Sequence, residues 1–180
     1  MRATGIVRRI DELGRVVIPK EIRRTLRIKE GDPLEIFTDR DELLLKKYSP
    51  IATLENFAKG VAEALNELCG FLVLICDTDI IICADGSGKK DLSGMQITEE
   101  MSNVLSDRKS FISNISEGGN IIPIVKGEYI FTSQIIVPII TNGDCIGGVI
   151  ILDNKEGSKM GAGEIKLAQL SAGFMSKQFE

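Results

Sequence analysis

Histidine and tryptophan are absent from these 180 residues, and aromatic residues make up only 5%. Without an imidazole there is no Ser-His-Asp or Cys-His catalysis, no His-ligated zinc and no ordinary pH switch near neutrality. Few aromatics leave little surface on which single-stranded bases could stack. Cysteine is scarce. Cys69, Cys76, Cys83 and Cys145 form no Cys-x-x-Cys pair and lie in apolar stretches. A disulfide framework would be denser, so the four read as small core hydrophobes in a reducing compartment, and a cytoplasmic location is expected. No metal site or cofactor is expected. Apolar runs fall short of the roughly 18 residues a membrane helix needs, and the basic N-terminus lacks the apolar run of a signal peptide. A membrane partner is therefore not expected.

What is present is a core-forming composition, 43% hydrophobic and 27% charged, with a net charge of −4 and a pI of about 5.1. That average argues against nucleic acid, yet it hides an asymmetry. Residues 1–48 hold 12 Lys/Arg against 9 Asp/Glu, and the remainder holds 10 against 17. Within the first 29 residues there are 9 basic and 3 acidic side chains. A basic head on an acidic body predicts an anionic partner at one end only.

The pattern changes at Ser49-Pro50, a helix cap followed by a first-turn proline, so domains of 1–49 and 50–180 are expected. In the head, residues 5–10 and 15–18 read as strands around a turn at 11–14. Pro19 then opens a helix to Arg27, and strands at 34–37 and 43–46 follow. The turn between those strands, Asp39-Arg40-Asp41-Glu42, lacks the glycine expected after Arg40-Asp41. A β-β-α-β-β unit this small buries little apolar surface alone, which predicts an obligate dimer sharing one core. The fold class is α+β, with an antiparallel sheet flanked by helices in the body.

In the body, Leu54, Phe57, Ala58, Val61, Leu65 and Leu68 recur at helical spacing up to Gly70. A hairpin follows at 72–76 and 80–84. Thr98 caps a short helix, and strands are expected at 121–125, 129–138 and 145–152, the last two joined by Asn142-Gly143-Asp144. The closing helix, 163–179, is apolar on two sides. Ile165, Ala168, Ala172 and Met175 form one set, and Leu167, Leu170 and Phe174 another, so it needs two partners: its own sheet and a second subunit.

The informative stripe lies in the head helix. Lys20, Arg23, Arg24 and Arg27 fall at i, i+3, i+4 and i+7 and share one helical face, with Ile22 and Leu26 toward the core. Arg8, Arg9 and Arg15 come from the segments before it. Arginine forks match phosphate oxygens and guanine edges, so these seven residues are the candidate contacts to double-stranded DNA.

The run Ala3-Thr4-Gly5-Ile6-Val7-Arg8-Arg9-Ile10, then Leu13-Gly14-Arg15-Val16-Val17-Ile18-Pro19-Lys20-Glu21-Ile22-Arg23-Arg24-Thr25-Leu26, resembles the AbrB transition-state regulators of spore-forming bacteria. Gly31-Asp32-Pro33-Leu34-Glu35-Ile36 extends the likeness. The resemblance implies a swapped-hairpin dimer whose DNA-contacting arginines are Arg8, Arg15, Arg23 and Arg24. Arg9, Lys20 and Arg27 are added by helix geometry. The whole layout resembles sporulation regulators in which this head precedes a GAF domain. That implies a transcriptional activator or repressor of sporulation genes that assembles as a homotetramer through the GAF helices.

GAF domains generally hold a small molecule over their sheet, so an unidentified ligand is a possible partner, with loop 85–90 and segment 118–120 as candidate walls. Gly86-Ser87-Gly88 with Lys89-Lys90 offers backbone amides to a phosphate but lacks the P-loop spacing. Two alternatives compete. Swapped-hairpin heads also occur on antitoxins. Some GAF domains reduce free methionine sulfoxide with a cysteine pair, for which Cys76 and Cys83, on opposite arms of one hairpin, are the candidates.

Overall fold

The computed structural model describes residues 5–88 and 92–179. The chain divides into two compact units, Met1–Tyr48 and Ser49–Glu180.

The first unit holds one helix, α1 (Lys20–Thr25), and one antiparallel hairpin, β1 (Leu34–Asp39) and β2 (Glu42–Lys47). The hairpin turn works without glycine because Arg40 adopts φ 48, which leaves Asp39 paired with Glu42. Segments 5–10 and 15–18 form no strand. A lone copy gives them no ladder partner, so their extended-strand chemistry goes unused within one chain. The helix also ends earlier than its apolar spacing predicts. Arg27 turns left-handed at φ 53, and the amides of Arg27 and Ile28 bond the carbonyls of Arg24 and Arg23 at 3.3 and 2.8 Å. This is a Schellman closure with arginine where glycine usually sits.

The second unit is a five-stranded antiparallel sheet between helical layers. Its strands are β3 (Leu72–Cys76), β4 (Ile81–Asp85), β5 (Phe111–Asn114), β6 (Ser133–Thr141) and β7 (Asp144–Asp153), in the order β4-β3-β7-β6-β5. Val73, Ile75, Ile135, Val137, Val149 and Ile151 face one side. There they meet α2 (Pro50–Thr53), α3 (Glu55–Cys69) and α5 (Ala162–Ser176). Leu72, Leu74, Ile136, Ile150 and Leu152 face the other, where α4 (Glu99–Ser106) lies with the flanking loops. The period-2 alternation that the strands show in sequence is thus used on both faces.

Local signals explain the boundaries. Ser49 Oγ accepts from the Ala52 amide at 3.2 Å, with Pro50 in the first turn of α2. Gly70 ends α3 at φ 71. Asn142 and Gly143, at φ 51 and 86, make the two-residue turn between β6 and β7. The strand expected at 121–125 is reduced to one isolated bridge, Val125 to Ile97. Pro123 removes a ladder donor, and the Gln134 side chain takes over pairing: its Oε1 accepts from Ile122 N and its Nε2 donates to Ile122 O, at 2.9 and 2.8 Å. β6 starts at Ser133 rather than at Tyr129, and β5 has no counterpart among the expected elements.

Candidate nucleic-acid interface

Five of the seven candidate cations, Arg8, Arg9, Arg15, Lys20 and Arg24, are exposed, while Arg23 and Arg27 are half-buried. Helix α1 carries Lys20, Arg23 and Arg24 within its own turns. Arg27 lies past the Schellman closure, so it leaves the helical face that its i+7 spacing predicts. Leu26 likewise does not point into a core: it is 57% exposed, and α1 has no buried residue. Ala3 and Thr4, from the start of the AbrB-like run, lie outside the described residues.

The 11–15 turn is tightly organised. The Asp11 amide donates to the Arg15 carbonyl at 3.1 Å and the Gly14 amide to the Asp11 carbonyl at 2.9 Å. The Asp11 carboxylate accepts from the backbone of Leu13 and Arg15 and from Arg15 Nε, at 3.0, 2.8 and 2.8 Å. The bonds from Arg15 and Leu13 hold the Asp11 carboxyl below its ordinary pKa, because they favour the charged form. In the sequence Asp11 reads as a turn residue, and no local signal separates that role from a hold on Arg15.

In the body the face of β3, β6 and β7 toward α4 is filled. Leu92, Ile97, Met101, Leu105, Ile124 and Val125 are all buried against it. Gly119 lines a cavity of about 450 Å³ with Ser113, Asn114, Glu117, Lys159 and Gly161, and residues 85–88 take no part in it. The glycine at 86 has a packing reason: at φ 116, a Cβ there would lie 2.8 Å from Asn66 Nδ2 and 2.9 Å from Leu72 Cα. Lys89 and Lys90 lie outside the described residues.

The thiols named for the alternative reading do not face each other. Cys83 sits opposite Ile75 and faces α3, whereas Cys76 belongs to the opposite face of the sheet. The hairpin irregularity between Ile75 and Cys76 does not change this. Burial pushes the Cys83 thiol up to about 11 and that of Cys76 higher still, away from nucleophilic thiolates. Among the described residues no group of His, Cys, Asp and Glu is placed to hold a metal ion. No helix among them is long and apolar enough to cross a membrane.

The outer faces of α3 and α5 form an apolar groove of about 640 Å³, including Phe57, Val61, Leu68, Leu167, Leu170 and Phe174. Leu68 and Leu170 are each 71% exposed. These are the second apolar side of α5 and its neighbour on α3, while Ala168, Ala172 and Met175 are buried on the first.

Residues 53–180 match the family described as stage V sporulation protein T C-terminal, transcription factor. The chain belongs to that family. Residues 7–53 match the family described as antidote-toxin recognition MazE, bacterial antitoxin. The chain is 49% identical over 181 residues to stage V sporulation protein T of Bacillus subtilis, covering all of this chain and 99% of that protein. It is 51% identical over 74 residues to the transition state regulatory protein AbrB of the same organism, covering 41% of this chain and 77% of AbrB. A PixJ GAF domain of Thermosynechococcus elongatus superposes on 73% of this chain and 90% of its own, with a TM-score of 0.55 at 11% identity, so the body has the GAF fold. Membership of a transcription-factor family and an AbrB-like head together make this a DNA-binding transcription regulator.

Proposed function

We propose that the head, residues 1–49, binds double-stranded DNA through Arg8, Arg9, Arg15, Lys20, Arg23, Arg24 and Arg27 and regulates sporulation genes as an activator or repressor. The observation that carries this is a run of exposed cations on a unit whose apolar side chains are also exposed. Two copies sharing one swapped-hairpin core would cover Val7, Leu13, Val17 and Leu43, pair segments 5–10 and 15–18, and double the cationic surface. Such a face neutralises phosphates. With about 6 to 10 contacts it loses roughly 10³ to 10⁵ in affinity between 50 and 200 mM salt. With only a six-residue helix to present, selectivity leans on DNA shape as well as on base edges.

The body, residues 50–180, is read as an assembly and sensing module. The α3–α5 groove meets the same groove of a second copy, a self-complementary contact. Combined with the head dimer it gives a homotetramer. The cavity beside Gly119 is the room for a small molecule. We read the chain as a cytoplasmic protein and, as a member of a transcription-factor family, as one without catalytic activity.

The test is a salt titration of DNA binding with Arg15→Ala and Arg24→Ala combined. The expected result is weaker binding with a shallower dependence of log affinity on log salt. Unchanged affinity and slope would refute the arginine face. Native mass spectrometry of the purified chain reads the rest: a tetramer with an added mass supports sensing, and a bare tetramer leaves assembly alone.

A further inference from the structure

A DNA-binding face is an unfavourable place for a carboxylate, because phosphates repel it and it cancels a neighbouring cation. Asp11 nevertheless sits within this one. Its Oδ1 accepts from the backbone amides of Leu13 and Arg15, at 3.0 and 2.8 Å, and those bonds account for the turn. Oδ2 does something the turn does not need: it accepts from Arg15 Nε at 2.8 Å. A guanidinium has five N–H donors in a rigid plane, and Nε carries one of them. Holding Nε fixes the plane and leaves the terminal fork, the part that meets guanine O6 and N7 or two phosphate oxygens, outside the pair. The Arg15 side chain stays 71% exposed while it is held.

We propose that Asp11 is a positioning residue for DNA selectivity: its Oδ1 fixes the turn, its Oδ2 fixes the Arg15 guanidinium, and its charge lowers general attraction to phosphate. This rests on the arginine-face reading. A freely rotating Arg15 would meet any nearby phosphate. A clamped one meets DNA in one orientation, so wrong sequences lose a bidentate contact that the right one keeps.

The experiment uses the full chain and two duplexes of equal length. One is enriched by the wild-type protein from a random pool, and the other is a shuffled version of it. Asp11→Asn keeps an oxygen for the two backbone amides but removes the charge and the strong acceptor for Nε. Its expected binding to the shuffled duplex rises at low salt. The slope of log affinity against log salt steepens by up to about 1. The ratio of affinities for enriched and shuffled duplexes falls about tenfold, the size of one mispaired position. Combining Asp11→Asn with Arg15→Ala gives the ratio of Arg15→Ala alone, since the clamp has nothing left to hold.

If Arg15→Ala leaves affinity and ratio unchanged, this inference fails; if Arg15→Ala with Arg24→Ala also leaves affinity and salt slope unchanged, the arginine face fails too. If Arg15→Ala weakens binding while Asp11→Asn keeps the ratio, the face stands and Asp11 is a turn cap only. If Asp11→Asn does not fold, Asp11→Ser decides, because its hydroxyl can still accept from a turn amide but does not hold Arg15 Nε. A retained ratio there overturns the proposal, and a lost ratio with a steeper salt slope supports it. A wild-type ratio of one overturns it as well.

Discussion

In the first unit Val7 is 88% exposed, Leu13 75%, Val17 72% and Leu43 69%; in the second, Ile135, Ile136, Ile150 and Ile151 have no exposed surface at all. Both units are rich in branched aliphatic residues, so aliphatic content does not separate them. Layering does. The body sheet is covered on both faces by its own helices and loops, and the head hairpin is covered on neither. A single copy thus buries a core in the body, while the shared core proposed for the head is what would do the same there.

The largest effect that would break this comparison comes from Leu43→Glu with Leu45→Glu. Both residues lie on one face of β2, opposite Thr38 and Ile36 of β1. Charging that face would remove the core proposed to be shared between heads, so DNA binding is expected to fall to background while the thermal transition of the body stays in place. Retained DNA binding would mean that the head does not need that face.

Next in size is Ile135→Ala, near the start of β6 with no exposed surface. It deletes three carbons from a site packed by α5 and the neighbouring strands and is expected to cost about 2–5 kcal/mol. Urea unfolding measures it. Leu43→Ala, in the separate head unit, should leave that body transition where it is. An Ile135→Ala cost under about 1 kcal/mol would show that the body core closes over the space.

The thiols give a third contrast, because all four lie in the body. The Cys83 thiol is pushed up to about 11 by burial, against an ordinary value of 9.0. The folded chain therefore holds this proton when the unfolded chain has released it. The stabilisation is complete below pH 9 and is lost as pH rises from there through 11. The body transition should weaken over that window, and Cys83→Ala should lessen the dependence, with the more strongly raised Cys76 thiol supplying much of the rest. A dependence that Cys83→Ala leaves untouched would assign it to other groups.

Much of this was legible from residues alone, for reasons that differ by place. Ser49-Pro50, Thr98 and Asn142-Gly143 signal through short-range chemistry that tertiary context does not overrule, and their caps and turn stand as read. The strand at 121–125 was misread because its apolar spacing is real while its backbone partner is a glutamine side chain twelve residues on. The edge strand β5 was missed because Phe111–Asn114 is too short to show a period. In the interface, the arginine positions were visible as spacing. The ending of α1 before Arg27 was not, because a left-handed arginine carries none of the glycine signal for a helix stop. The clamp on Arg15 needed geometry, since an aspartate four residues upstream reads equally as a turn former.

The smallest effect sharpens the comparison at the level of a single cap. Helix α4 begins at Thr98, whose hydroxyl accepts from the Met101 amide at 3.1 Å and donates to the Pro123 carbonyl. The Thr98 amide donates to the Ile124 carbonyl at 2.9 Å. One residue thus starts the helix and fastens the 121–125 segment over the sheet. Helix α1 in the head begins at Pro19, with no side-chain cap. Thr98→Ala should cost about 1 kcal/mol, within the usual range of 0.5–2 for a lost cap, because it also orphans a carbonyl in a half-buried layer. Thr98→Ser keeps both hydroxyl bonds and should recover most of that loss. Urea unfolding of the two variants reads the difference, with the body transition moving and DNA affinity staying constant. Equal losses from Ala and Ser would place the effect in the missing methyl group, so that α4 would be held by packing rather than by its cap.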